Sequence, residues 1–305
     1  MDLQAAAVLK RLAALVPASD PDTDDDTWLA TFRYQTALLR EFSGAAMPLD
    51  STAVVMAGST PIRLFNPPAR SGAVLFHIHG GGGIAGSLDI HDPALRLLAH
   101  HSGWQVAAPD YRLAPDSRFP AMLEECYAAL LAIAKDAPRI VVSGDSIGGT
   151  IATALAMLAR DRGGPSIAGQ LLLYPNTDLR RDAPYGSRRS EDGNIIAGHD
   201  LERQIDLYLG DDAARTDPLA SPMLADLAGL AGLPPAFVAT AQCDPLRDEG
   251  EGYGQRLAAA GVPVVHHRYP GMIHAFLQMA GAIDRTHDLL TDIAAWLTPL
   301  ATAKD

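Results

Sequence analysis

Cysteine is scarce: Cys126 and Cys243 are the only two in 305 residues. Two are too few for a disulfide framework, and Cys243 ends an apolar run, so both read as free thiols of a reducing compartment. Basic charge is also short. The 24 Lys and Arg are outnumbered by 36 Asp and Glu, for a net charge of −12 and a pI near 5.2. A nucleic-acid backbone or an anionic membrane would repel such a chain at long range, which leaves a small or neutral partner. Long hydrophobic runs are missing as well. Asp2 stands where a leader needs positive charge, Lys10-Arg11 interrupts the only early apolar run, and no stretch is long enough for a bilayer. These absences predict a cytoplasmic protein that binds neither nucleic acid nor membrane.

What is present is apolar patterning. Hydrophobic residues make up 48% of the chain, enough to fill one large core. Leu3, Val8, Leu9, Leu12, Leu15 and Val16 keep helical spacing. After an acidic loop at 20–26, a second helix opens at Thr27 with Trp28, Phe32, Leu39 and Phe42. Short β-rich runs follow at 53–56, 62–65, 74–79, 105–108, 140–143, 171–174, 237–240 and 262–269, eight candidate strands. Helical stretches separate the later ones. Asp92-Pro93 reads as a helix start, the stretch after Ser146 as a helix to about Arg160, and 283–300 as the closing helix. Alternating strands and helices predict an α/β fold with a mostly parallel sheet. The interval 176–235 is long, polar and punctuated by Pro and Gly, with one helical piece at 201–209, and reads as a cap inserted over the strand ends. The expected organisation is N-terminal cap helices at 1–50, core at 51–175, cap insertion at 176–235 and the rest of the core at 236–305.

Reactive groups fall just after strands. In Gly144-Asp-Ser146-Ile-Gly148 two glycines flank a serine where a strand runs into a helix, and they remove the Cβ atoms that would block so sharp a turn. Asp244 follows the strand at 237–240 and His274 the strand at 262–269. A serine hydroxyl needs a neutral imidazole to take its proton and a carboxylate to hold that imidazole in place, and these three side chains supply that set. His79-Gly-Gly-Gly-Gly83, after the strand at 74–79, lets several N–H groups approach a ligand. A phosphate cradle would need a following Gly-Lys-Ser/Thr, which is absent. His77 with His79, His100-His101 and His266-His267 have no carboxylate or cysteine at ligand spacing, so no metal site is assigned. Arg180-Arg181 reads as solvated charge.

The chain resembles the hormone-sensitive-lipase-like esterases, a branch of the α/β-hydrolases. The resemblance rests on His79-Gly-Gly-Gly82, Tyr111-Arg-Leu-Ala-Pro115 with Phe119-Pro120, Gly144-Asp-Ser-Ile-Gly-Gly149, Asp244-Pro-Leu-Arg-Asp-Glu249 and His274-Ala-Phe276. It implies the α/β-hydrolase fold, with an eight-stranded mostly parallel sheet flanked by helices. It makes Ser146, Asp244 and His274 the catalytic triad, with Asp244 rather than Asp248 or Glu249 as the acid, and the N–H groups of Gly81, Gly82 and Ile147 the oxyanion donors. Ile147 stands where the family usually has alanine, and Gly83 where it usually has an aromatic residue. Gly83 and the strand-end Tyr174 are candidates for the substrate pocket. At Gly83 the lost ring leaves space unless a neighbour such as Ile147 fills it; alternatively the position needs the positive φ that glycine allows.

The activity implied is hydrolysis of small carboxylic esters of short acyl chain through an acyl-serine, with no cofactor. The same groups could act on an amide, lactone or carbonate, and a non-catalytic ligand-binding protein on this fold would be expected to lack a triad residue. A homodimer is compatible with pairing of an edge strand at 264–268, although charged edges also oppose pairing.

Overall fold

All eight expected strands form, and they join in one sheet. β1 (Ser51–Ala57), β2 (Thr60–Asn66), β3 (Val74–Ile78), β4 (Gln105–Pro109), β5 (Ile140–Asp145), β6 (Gly169–Leu173), β7 (Ala236–Cys243) and β8 (Val264–Ile273) lie in the order β1-β2-β4-β3-β5-β6-β7-β8. β1 pairs antiparallel with β2 and β2 with β4; all other pairings are parallel. The computed structural model describes residues 1–15, 23–69 and 71–302, so Val16 and the start of the acidic loop lie outside the described residues.

The helices are α1 (Leu3–Leu15), α2 (Asp25–Leu38), α3 (Leu88–Ser102), α4 (Ala121–Ala134), α5 (Ile147–Asp161), the one-turn α6 (Ser187–Ser190), α7 (Gly198–Leu209), the one-turn α8 (Leu227–Leu230), α9 (Arg247–Ala259) and α10 (Arg285–Thr302). They cover both faces of the sheet, and strand alternation sorts the core accordingly. In β3, Val74, Phe76 and Ile78 join one cluster with α4, α5 and α9, while Leu75 joins the other with α3 and α10. No described helix is long and apolar enough to cross a membrane.

Two helix starts differ from the sequence expectation. The second helix begins at Asp25, because the Asp24 carboxylate accepts the Thr27 N–H at 2.9 Å. α3 begins at Leu88 rather than at Asp92-Pro93: Ser87 Oγ accepts the Ile90 N–H, and Pro93 lies inside the helix. A proline there removes the bond to the carbonyl of Asp89, and the Arg40 guanidinium donates to that carbonyl instead.

The tightest constraint lies at the centre of the sheet, where β5 runs into α5 through Ser146 alone. A Cβ on Gly144 would sit 2.1 Å from the Gly148 carbonyl oxygen, and one on Gly148 would sit 2.1 Å from the Ile78 carbonyl oxygen. Both contacts are backbone, so no side chain can move aside. Gly148→Ala is therefore expected to cost about 3 kcal/mol of stability. Gly254→Ala, on the interior of α9 where the new methyl would meet Val238 and Val264 at 3.6 and 3.8 Å, should gain about 0.5 to 1 kcal/mol. Urea unfolding of both variants measures the contrast; equal midpoints for the two would refute it.

Candidate active site

In a parallel sheet the carboxyl ends of the strands share one rim, and β3, β5, β7 and β8 bring the glycine loop, Ser146, Asp244 and His274 to it. Ser146 has φ 57° and ψ −126°, a conformation that costs an L-residue about 1 to 3 kcal/mol and that the two flanking glycine contacts enforce. Its N–H donates to Leu173 O at 2.9 Å, which ties the corner to β6. His274 and Asp244 are both buried, and His274 Nδ1 lies 2.8 Å from Asp244 Oδ2. The other carboxylate oxygen accepts the Leu246 N–H at 2.8 Å, so the acid is held from both sides.

Ser146 and His274 open into one cavity of about 590 Å³. Its floor is Gly81, Gly82, Ser146 and His274. Leu9 and Leu12 of α1, Phe32 and Leu39 from α2 and the turn after it, and Ile195, Ile196 and Gln204 form the walls. The N-terminal helices thus reach the site, and Phe32 lines it while Trp28 and Phe42 are buried. Among the described residues no acceptor faces the N–H groups of Gly81, Gly82 and Ile147, so three donors are free beside the serine.

The glycine loop is held from beneath by a buried anion. Asp145 Oδ1 accepts the Gly80 N–H at 2.9 Å, His77 Nε2 lies 3.3 Å from the same oxygen, and His91 Nε2 lies 3.7 Å from Oδ2. Burial pushes the Asp145 carboxyl up, but His91 and His77 outweigh it and hold it well below the usual carboxylate range. His79 is tied to the loop, with Nδ1 2.7 Å from Gly80 O and Tyr111 stacked on its ring. Burial, and then His91, push the His79 imidazole down to about 3, so it stays neutral. The Tyr111 block has a structural task here: Tyr111 donates to His79 O at 2.7 Å, and the Ala114 N–H donates to Gly83 O at 2.8 Å.

The profile of one protein family, described as having the alpha/beta hydrolase fold, matches residues 75–278. Esterase LipI of Mycobacterium tuberculosis is 39% identical over 239 residues, 74% of each chain. Ethyl acetate hydrolase of Pseudomonas putida is 38% identical over 240 residues, 75% of this chain and 74% of its own. A hyperthermophilic esterase from Pyrobaculum calidifontis superposes with a TM-score of 0.89 at 33% identity, covering 99% of both chains. The chain belongs to the hormone-sensitive-lipase-like esterases of the α/β-hydrolase fold.

Within this esterase the two pocket candidates lie elsewhere than expected. Tyr174 is buried behind the imidazole, edge-on to His274 with ring centroids 4.9 Å apart, and is not part of the cavity wall. Gly83 does not line the cavity either. It has φ +72°, and a Cβ there would sit 2.5 Å from the Tyr208 ring of α7, so the space of the missing aromatic is taken by another helix. The three atoms nearest that Cβ all belong to Tyr208, and Ile147 is buried in the same apolar cluster. Asp248 and Glu249, set aside as triad acids, bind the chain after β6: Asp248 accepts the Ser187 N–H at 2.8 Å, and Glu249 accepts the Thr177 N–H at 2.7 Å and pairs with Arg188 at 2.6 Å. Arg180 and Arg181 are paired rather than merely solvated, with Asp178 and with Asp206 and Asp212.

Sequence reading missed Asp145, Gln204 and Tyr208. Asp145 sits in the serine motif and carried a signal only as its neighbour; the other two belong to a helix whose placement over the site no local pattern reveals. With Tyr208 packed on it and a positive φ, Gly83 meets the conditions of the backbone reading. Gly83→Ala and Gly83→Phe should lower kcat/KM for acetate and for bulky esters by the same factor, leaving their ratio within about twofold of the parent. A selective loss on bulky esters in Gly83→Phe alone would restore the pocket reading.

Proposed function

We propose that this esterase hydrolyses small carboxylic esters through an acyl-serine on Ser146, with His274 as general base and acid and Asp244 as the residue that orients it. The observation that carries the reading is the buried 2.8 Å contact of His274 Nδ1 with Asp244, which leaves Nε2 for a serine that opens into the same cavity. In this scheme Ser146 Oγ attacks the acyl carbon and its proton passes to His274. The oxyanion is held by the N–H groups of Gly81, Gly82 and Ile147 at the start of α5, where the helix dipole adds to the donors. His274 then protonates the departing alkoxide, and a water deprotonated by His274 releases the acid. No cofactor takes part.

A cavity of about 590 Å³, closed by α1, α2 and the stretch around α7, favours short acyl chains over long glycerides. Residues 1–50 and 176–235 act as the cap in this reading, on a core of 51–175 and 236–305, although α7 shares its apolar cluster with the sheet. The two buried free thiols fit a cytoplasmic location, and the edge strand β8 offers a surface for a homodimer.

Ser146→Ala should lower kcat by roughly 10⁴- to 10⁶-fold without loss of fold, since the side chain lies at a turn and contributes little packing. A fluorophosphonate read by mass spectrometry should label Ser146 alone. Label at another serine, or substantial turnover by the alanine variant, would refute the assignment.

A further inference from the structure

One face of α7 lies against the site through residues spaced four apart, so about 6 Å separates each from the next along the axis. At one end Asp200 accepts the Trp28 indole N–H at 2.8 Å. At the other Tyr208 packs on Gly83. Between these two fixed points stands Gln204, which is 94% buried and lines the substrate cavity. Its side chain lies directly on Gly82: an ideal Cβ there would be 2.5 Å from Gln204 Oε1 and 3.1 Å from Cδ. Among the described residues its amide has no hydrogen-bond partner. Unlike the buried oxygen of Gln278, this amide keeps access to the cavity, so it is set to meet a group that enters.

We propose that Gln204 is a specificity-determining residue whose amide pairs with a hydroxyl on the acyl carbon next to the scissile carbonyl, making 2-hydroxyacyl esters preferred substrates; this rests on the triad reading above. Topology sets the acyl side. The leaving oxygen must lie by His274, which follows β8, whereas Gln204 lies on the loop after β3, on the other side of β5 and Ser146. The carbonyl oxygen belongs at Gly81 and Gly82, so the substrate atom nearest the Gln204 amide, other than that oxygen, is a substituent on the adjacent acyl carbon. A hydroxyl both donates and accepts, as the amide does. Ile195 and Ile196 line the same cavity, and of its polar side chains Gln204 is the one whose atoms lie nearest Gly82.

The test compares methyl lactate with methyl propanoate, which differ by that hydroxyl alone, on the parent, Gln204→Leu and Gln204→Met. The ratio of their kcat/KM values should fall about tenfold in both variants relative to the parent, which cancels the intrinsic reactivity of the two esters. An unchanged ratio would overturn the proposal. So would an equal loss on both esters, which would assign the amide to the carbonyl oxygen. A second measurement needs no variant and no chemistry at Ser146: by ligand-observed NMR the unaltered protein should bind lactamide about tenfold more tightly than propanamide, and equal binding would overturn the proposal. Hydrolysis that survives in Ser146→Ala would sink the triad reading instead, so the two failures are told apart.

Discussion

The site depends on a backbone contact that admits no side chain. Gly148 on the first turn of α5 touches the end of β3 through Ile78, and Gly144 on β5 touches Gly148 in turn. These two contacts lock the strand, the serine corner, the helix and the neighbouring strand into one arrangement. The positive φ of Ser146 is affordable because the arrangement is over-determined from both sides. The same closeness brings the start of α5 to the glycine loop, since only His79 separates Ile78, which Gly148 touches, from Gly80.

A second layer holds that loop open. A loop of four glycines gains donors at the cost of order, and without support its N–H groups would turn to any available acceptor. Asp145 takes the Gly80 N–H and is itself stabilised by His77 and His91, so one donor is spent inward and its neighbours remain outward. Tyr111, Ala114 and Arg33 take the carbonyls of His79, Gly83 and Ile84. The charge of Asp145 thus has a positional task beside, and not within, the proposed proton transfers.

How far the sequence carried this depends on the range of each contact. The eight strands were legible because alternation and β-branched runs are local, and the convergence of Ser146, Asp244 and His274 was legible because each follows a strand whose carboxyl end the parallel sheet must place on one rim. Helix starts at Asp25 and Leu88 were missed by a few residues because caps at Asp24 and Ser87 outweighed the proline signal at Pro93. At Gly83 two readings stayed open for a different reason. Its motif position suggests a wall of the pocket, but the occupant of the space is Tyr208, more than a hundred residues away, and no pattern within either segment encodes that packing.

Glu249 shows how the acid and the inserted segment are joined. Fully buried, it is pushed up to about 7, burial outweighing the attraction of Arg188. A carboxyl raised in the folded state binds its proton more tightly there than in the unfolded chain. Its contribution to stability is therefore full below the unfolded value near 4.5 and is lost as pH rises through 7. Above that range the ionised group depends on Arg188 and the Thr177 N–H to offset its burial, and both partners lie in the stretch that leaves β6 toward α7. The backbone that bears Asp244 and the backbone that leads to the helix over the cavity are thus tied through Glu249, and again through Asp248 and Pro245 at Ser187, so Asp244 cannot shift far without moving the cover of the site.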